Sequence, residues 1–168
     1  SLGEFGYPYL INPDDLSTKG AFTYDGQLPF SMTAHPRIDP DTGEMLFFGY
    51  NVIKPYITYM RADAAGNMLQ VEPVDMTGPS MVHDFAVTKN YVVFMEMPVR
   101  FSWMMAISGS GLPFKWDDDA PSRFGVMPRT GTNADVKWFD VPTCFIFHIM
   151  NSFEQGDNVI VDAARYDN

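Results

Sequence analysis

The chain has 168 residues, and 21 acids against 11 bases leave a formal net charge of −10. That length suits a domain burying roughly 70% of the surface its unfolded chain would expose, and 46% apolar with 19% charged residues excludes disorder as the main state. The acid excess argues against a nucleic-acid partner, which needs clustered Lys and Arg, and the lone Cys144 excludes a disulfide framework or a Cys-rich zinc site.

Thirteen Gly and thirteen Pro are scattered along the chain, and 14 Phe, 8 Tyr and 3 Trp favour strands over helices. In chain order, strands are expected at Glu44–Tyr50, Tyr56–Arg61, Asn67–Pro73, His83–Thr88, Tyr91–Met97, Phe101–Ile107, Asp135–Phe139, Thr143–Met150 and Asn158–Arg165. Turn signals separate them, among them Asp39-Pro40-Asp41-Thr42-Gly43, Asp63-Ala64-Ala65-Gly66-Asn67, Thr88-Lys89-Asn90 and Gln155-Gly156-Asp157-Asn158. The pattern reads as antiparallel all-β, with no helix expected. The Gly-, Pro- and Asp-rich stretch Gly109–Gly131 reads as a long loop or insertion. Runs such as Tyr91-Val92-Val93-Phe94-Met95 and Cys144-Phe145-Ile146-Phe147 are apolar on both faces, as in the radially stacked sheets of a propeller. At roughly 40–50 residues per four-stranded blade, the chain would supply about three or four blades. No linker divides it, no apolar run approaches the ~18 residues of a membrane helix, and the opening Ser-Leu-Gly-Glu lacks the basic start of a signal peptide. A cytoplasmic location is therefore expected.

Chemistry-bearing residues are few. The three histidines, His35, His83 and His148, lie 48 and 65 residues apart, each beside an expected strand in apolar surroundings. Singly, each reads as a hydrogen-bonded structural side chain. Together, their spacing of about one blade, or one blade plus an insertion, would bring them to the inner ends of successive blades, where neutral imidazoles suit Fe, Zn, Cu or Ni. On spacing alone both readings stay open. Ser108-Gly109-Ser110-Gly111 lacks the Gly-Lys-Ser/Thr of a phosphate loop, and no Gly-x-Ser-x-Gly elbow occurs. Cys144, among Phe145, Ile146 and Phe147, reads as a buried inert thiol, Asp117-Asp118-Asp119 as a solvated acidic turn, and the twelve methionines as core filler.

Four ordered segments carry a family resemblance. Thr33-Ala34-His35-Pro36-Arg37-Ile38-Asp39-Pro40-Asp41-Thr42-Gly43-Glu44, Val82-His83-Asp84-Phe85-Ala86-Val87-Thr88 and Phe147-His148-Ile149-Met150-Asn151-Ser152-Phe153-Glu154 resemble the three histidine motifs of the carotenoid cleavage oxygenases. That family includes apocarotenoid and lignostilbene dioxygenases and the retinal pigment epithelium isomerase. Arg123-Phe124-Gly125-Val126-Met127-Pro128-Arg129 with Trp138-Phe139 is similar to a further family signature. The resemblance spans essentially the whole chain.

It implies a seven-bladed propeller with a non-haem Fe(II) on its axis, held by four histidines. His35, His83 and His148 match three of them, and no later histidine matches the fourth. Seven blades need well over 168 residues, so residues 1–168 are expected to be a central fragment of one propeller domain. The segment Gly3-Glu4-Phe5-Gly6 with Pro8-Tyr9 resembles the stretch that carries a glutamate accepting the free N–H of a liganding imidazole, which maps onto Glu4. Phe147, next to a proposed ligand, is a candidate pocket wall, with core packing as its plain alternative. The resemblance implies O2-dependent cleavage of a carbon–carbon double bond in a conjugated apolar substrate, giving two carbonyl products. Gly3 stands where stilbene-cleaving relatives tend to place a lysine, which leans towards an apocarotenoid; isomerisation is a third possibility. Peripheral membrane contact of the full-length protein and inactivity of residues 1–168 alone are also implied. The alternatives from other classes are a non-catalytic propeller that binds an apolar ligand or protein partner, and a structural zinc-binding β-domain.

Overall fold

The structure is a computed structural model describing residues 1–109 and 111–167; Ser110, within the glycine-rich Ser108–Gly111 stretch, lies outside the described residues. The chain divides into two compact units, Ser1–Asp75 and Met76–Asn168.

The first unit carries β1 (Tyr9–Ile11) and β2 (Thr18–Ala21), paired antiparallel. It continues through β3 (Arg37–Ile38), β4 (Met45–Tyr50), β5 (Ile57–Ala62) and β6 (Met68–Val74), a four-stranded antiparallel meander in the order β3-β4-β5-β6. The turn Asp39–Gly43 works as its composition requires. The Asp39 carboxylate accepts the N–H groups of Asp41 and Thr42, and Gly43 takes the left-handed φ of 72°. Strands β4 and β5 are buried on both faces: Leu46, Phe47, Phe48, Ile57, Tyr59 and Met60 are fully buried. Phe47, Met60 and Ala62 pack with Tyr24, Leu28 and Met32.

The second unit contains β7 (Ala86–Val87), β8 (Tyr91–Glu96), β9 (Val99–Phe101), helix α1 (Trp103–Ser108), β10 (Phe114–Trp116), β11 (Arg123–Pro128), β12 (Lys137–Asp140), β13 (Phe145–Gln155) and β14 (Asn158–Tyr166). A second four-stranded antiparallel sheet has the order β12-β11-β8-β7, and β13 and β14 form a long hairpin. Met95, Met97, Cys144 and Ile146 are buried together, so Cys144 is a core thiol, pushed up from its ordinary pKa by burial.

Three sequence expectations are corrected. The strand expected over His83–Thr88 is confined to Ala86–Val87, which leaves His83 ahead of it. The run Phe101–Ile107 is not a strand: strand β9 ends at Phe101, and Trp103–Ser108 is helical. The alternation of apolar residues there does not pack against a sheet, so local signals win. Ser102 caps the helix by accepting the Met105 N–H, and Gly109 ends it with a φ of 67°. The stretch Gly109–Gly131 is not one long loop either. It contains β10 and the interior strand β11, which pairs with β8 and β12 on its two edges. Gly125, a poor strand former, is used there because a Cβ would stand 2.8 Å from the Trp138 ring. The Arg123 guanidinium lies 4.2 Å from the centre of the Trp138 ring. The fourth family-like segment is thus a packing feature.

Candidate metal centre

His35 sits in the first unit on a segment held beside β4. The Ser31 hydroxyl donates to the Tyr50 carbonyl at 3.0 Å, and the Thr33 N–H donates to the Phe48 carbonyl at 2.7 Å. The His35 N–H then donates to the Thr33 hydroxyl at 3.0 Å, and Arg37 enters the sheet opposite Leu46. This approach depends on Gly49, where an added Cβ would meet the Ser31 carbonyl oxygen at 2.2 Å. Backbone cannot yield as a side-chain tip can, so Gly49→Ala is expected to cost about 1–3 kcal/mol, the usual range for overpacking. It should also displace the segment that carries His35. Urea unfolding checks the first effect and metal affinity the second.

In the second unit, His83 precedes β7 and His148 lies within β13. The pairing of β13 with β14 shifts register between Ile146 and Ile149 and again between Ile149 and Asn151. Such irregularities re-aim side chains at functional sites, and His148 lies at the first of them. The His83 and His148 Nε2 atoms face each other at 3.1 Å. The Phe147 ring stacks on His83, centroids 4.0 Å apart at 24°. Phe147 therefore restrains the orientation of His83, a contact its sequence neighbourhood did not disclose. His35, the third histidine of the chain, lies in the first unit.

The donor set fits a metal ion. Two ligands at right angles on bonds of about 2.1 Å stand roughly 3 Å apart, which is the spacing of the His83 and His148 nitrogens. Imidazole is a ligand for iron, zinc, copper or nickel alike. Asp84, which the sequence reading passed over inside the His83 motif, is 2% exposed. Its carboxylate accepts the Phe85 N–H at 2.8 Å and the Ile149 N–H at 3.0 Å, joining the neighbours of both histidines. Only the fold reveals this, since the partner is 65 residues away.

Glu4 lies in the first unit, next to Phe5, whose ring meets Tyr50 edge-on at 5.5 Å. Burial pushes the Glu4 carboxyl from 4.5 up to about 7. Burial and the Glu4 charge together raise the Tyr50 phenol above its ordinary range. The metal-free folded state thus keeps a proton on Glu4 that the unfolded chain releases near pH 4.5. Stability from this group is complete below that pH and is lost as pH rises towards about 7. Unfolding of metal-free Glu4→Gln across this window should give a flatter pH profile than wild type.

Among the described residues, no helix is long and apolar enough to cross a membrane.

The family model described as Retinal pigment epithelial membrane protein matches residues 1–168. A Phaseolus vulgaris protein named carotenoid 9,10(9',10')-cleavage dioxygenase 1 is 41% identical over 172 residues, covering 100% of this chain and 32% of the relative. An Oryza sativa subsp. japonica protein named 9-cis-epoxycarotenoid dioxygenase, chloroplastic, is 37% identical, covering 97% of this chain and 27% of the relative. The crystal structure of Pseudomonas brassicacearum lignostilbene dioxygenase superposes with a TM-score of 0.87 at 35% identity, over 96% of this chain and 35% of that one. A cobalt-substituted Synechocystis oxygenase superposes with a TM-score of 0.86 at 27% identity, over 99% of this chain and 37% of that one. The chain spans about a third of the length of these relatives. Its three histidine motifs, its all-β fold and these matches agree: the chain belongs to the carotenoid cleavage oxygenase family.

Proposed function

We propose that this chain is the central part of a seven-bladed propeller enzyme, a non-haem Fe(II)-dependent dioxygenase. In this reading the enzyme cleaves a carbon–carbon double bond of an apocarotenoid or related conjugated apolar substrate with O2, giving two carbonyl products. The observation that carries it is the approach of two imidazoles from two family motifs, the His83 and His148 Nε2 atoms standing 3.1 Å apart. His35, His83 and His148 hold the ion through neutral ring nitrogens, with a fourth histidine supplied by the remainder of the protein. A ferrous ion bound there supplies dioxygen activation beside the alkene. The chain's own residues orient and exclude. Phe147 stacks on His83 and presents an apolar face that keeps water from the substrate side. Glu4 takes the free N–H of a liganding imidazole, His83 foremost, fixing its tautomer. No protein nucleophile is required, in keeping with the buried Cys144. Gly3, in place of a lysine, favours an apocarotenoid over a hydroxystilbene.

A cytoplasmic enzyme peripheral to a membrane fits the same reading. Helix α1 stands at the tip of the β9–β10 excursion, with Trp103, Met104 and Ile107 exposed at 58%, 75% and 86%. An apolar substrate delivered from a bilayer would meet such a surface.

The test compares the full-length protein with residues 1–168, both loaded anaerobically with Fe(II) and assayed for apocarotenoid cleavage under oxygen. The full-length protein is expected to bind one iron and to turn over. The shorter chain is expected to do neither, because an open propeller exposes apolar sheet faces and an unpaired edge. A full-length protein that binds apocarotenoid but no iron, and leaves it intact, would establish the non-catalytic alternative. A fragment that cleaves at the full-length rate would show that the site is complete in these residues.

A further inference from the structure

The segments bearing His83 and His148 are joined by a series of contacts at a nearly constant sequence offset. His83 meets His148, Asp84 accepts from Ile149, and the Ser152 hydroxyl donates to the Val87 carbonyl at 2.8 Å, each pair 65 residues apart. Glu154 completes the series, accepting from the Thr88 hydroxyl at 2.6 Å and from the Asn90 N–H at 2.7 Å, offsets of 66 and 64. A constant offset means that the two segments run parallel. Among the described residues β13 has a backbone ladder only with β14, so side chains set this parallel register. The Asp84 contact differs from the others in its place. It is the one immediately adjacent to both histidines, and it takes the Ile149 N–H where the β13–β14 register is irregular.

We propose that Asp84 is a positioning residue for the metal centre, setting the separation and angle of the His83 and His148 imidazoles. This rests on the reading of those histidines as metal ligands. The two Asp84 oxygens face two backbone donors, one beside each histidine: Oδ1 takes the Phe85 N–H and Oδ2 the Ile149 N–H. A carboxylate is acceptor-only and satisfies both. Alanine would leave two N–H groups without acceptors at a buried position, and asparagine would turn an NH2 towards one of them. Either change lets the segments slide, and each imidazole is only one residue from the slipping bond.

The test uses the full-length protein as Asp84→Ala and Asp84→Asn, with Ser152→Ala as the control that removes a more distant contact. Cobalt(II) is the probe, read by its dissociation constant and its ligand-field bands. Asp84→Ala is expected to weaken cobalt by roughly 10–100-fold, the range of outer-shell losses, and to shift the bands. Ser152→Ala should keep the wild-type bands and lie within about threefold of wild-type affinity, as uncoupled sites do. If the alanine variant does not fold, Asp84→Asn, which keeps the shape and one acceptor, should still lose about tenfold. Wild-type affinity and bands in the folded variants would overturn the proposal, as would a loss in Ser152→Ala equal to that in Asp84→Ala. A wild-type protein that binds no cobalt would sink the metal reading alone. The Nε2 separation in crystals of the metal-free Asp84 variants then decides: opening beyond about 3.5 Å, out of hydrogen-bond range, supports the role, and retention of 3.1 Å overturns it.

Discussion

Glu96→Ala is expected to destabilise the protein by roughly 3–5 kcal/mol, the usual cost of removing one partner from a buried ion pair. The Glu96 side chain is 0% exposed and lies between two guanidiniums, Arg100 at 2.8 Å and Arg123 at 2.6 Å, themselves 11% and 19% exposed. It also accepts the Thr77 N–H at 2.7 Å and the Thr77 hydroxyl. Removing the carboxylate leaves two cations facing each other with little water to replace it. The loss is comparable to much of the 5–15 kcal/mol total stability of ordinary domains. Denaturant unfolding measures it, and Glu96→Gln, which keeps an acceptor without the charge, should lie between alanine and wild type. A loss below about 1 kcal/mol in Glu96→Ala, as at exposed pairs, would show that the cations find other partners. The network links β8 to β11 and to the Thr77 segment ahead of His83, so it braces the sheet beside that histidine.

His148→Ala is expected to have the largest functional effect. If His148 is a ligand as proposed, its loss should exceed the roughly 10–100-fold that outer-shell changes cost, leaving the full-length protein with little bound iron at micromolar supply. Activity should disappear in parallel while folding survives, because His148 is exposed and contributes little to the core. Iron per protein, by metal analysis after desalting, and the unfolding midpoint together check this. A variant that keeps stoichiometric iron and full turnover would remove His148 from the ligand set. On the proposed reading Glu96 and His148 separate the two roles, stability for one and chemistry for the other, although both belong to the same unit.

Much of this was legible in the chain itself. Alternation and two-sided apolar runs located β4, β5, β6, β8 and β14 to within a residue or two, because each is long and bounded by turn residues whose chemistry is local. The three histidines stood out by scarcity and by their motifs. Other elements were invisible for stated reasons. β1, β2, β3 and β10 have two to four residues each, too short for a period to show. β11 was hidden by its glycine and the prolines around it, since the reason for Gly125 is the Trp138 ring laid against it. Helix α1 rests on a cap and a terminal glycine, with no buried residue to reveal a helical face.

What the sequence by itself determined is composition-deep and local: an all-β chain, its main strands and turns, an inert cysteine and the three imidazoles. The tertiary structure decided the juxtapositions. Only folding brings the His83 and His148 nitrogens to 3.1 Å, stacks Phe147 on His83, and sets Asp84 against Ile149. These contacts join residues about 65 positions apart, and a local pattern carries no information about which distant strand will be its neighbour. The energy that selects that neighbour comes from side chains and backbone groups that must satisfy one another once water is gone.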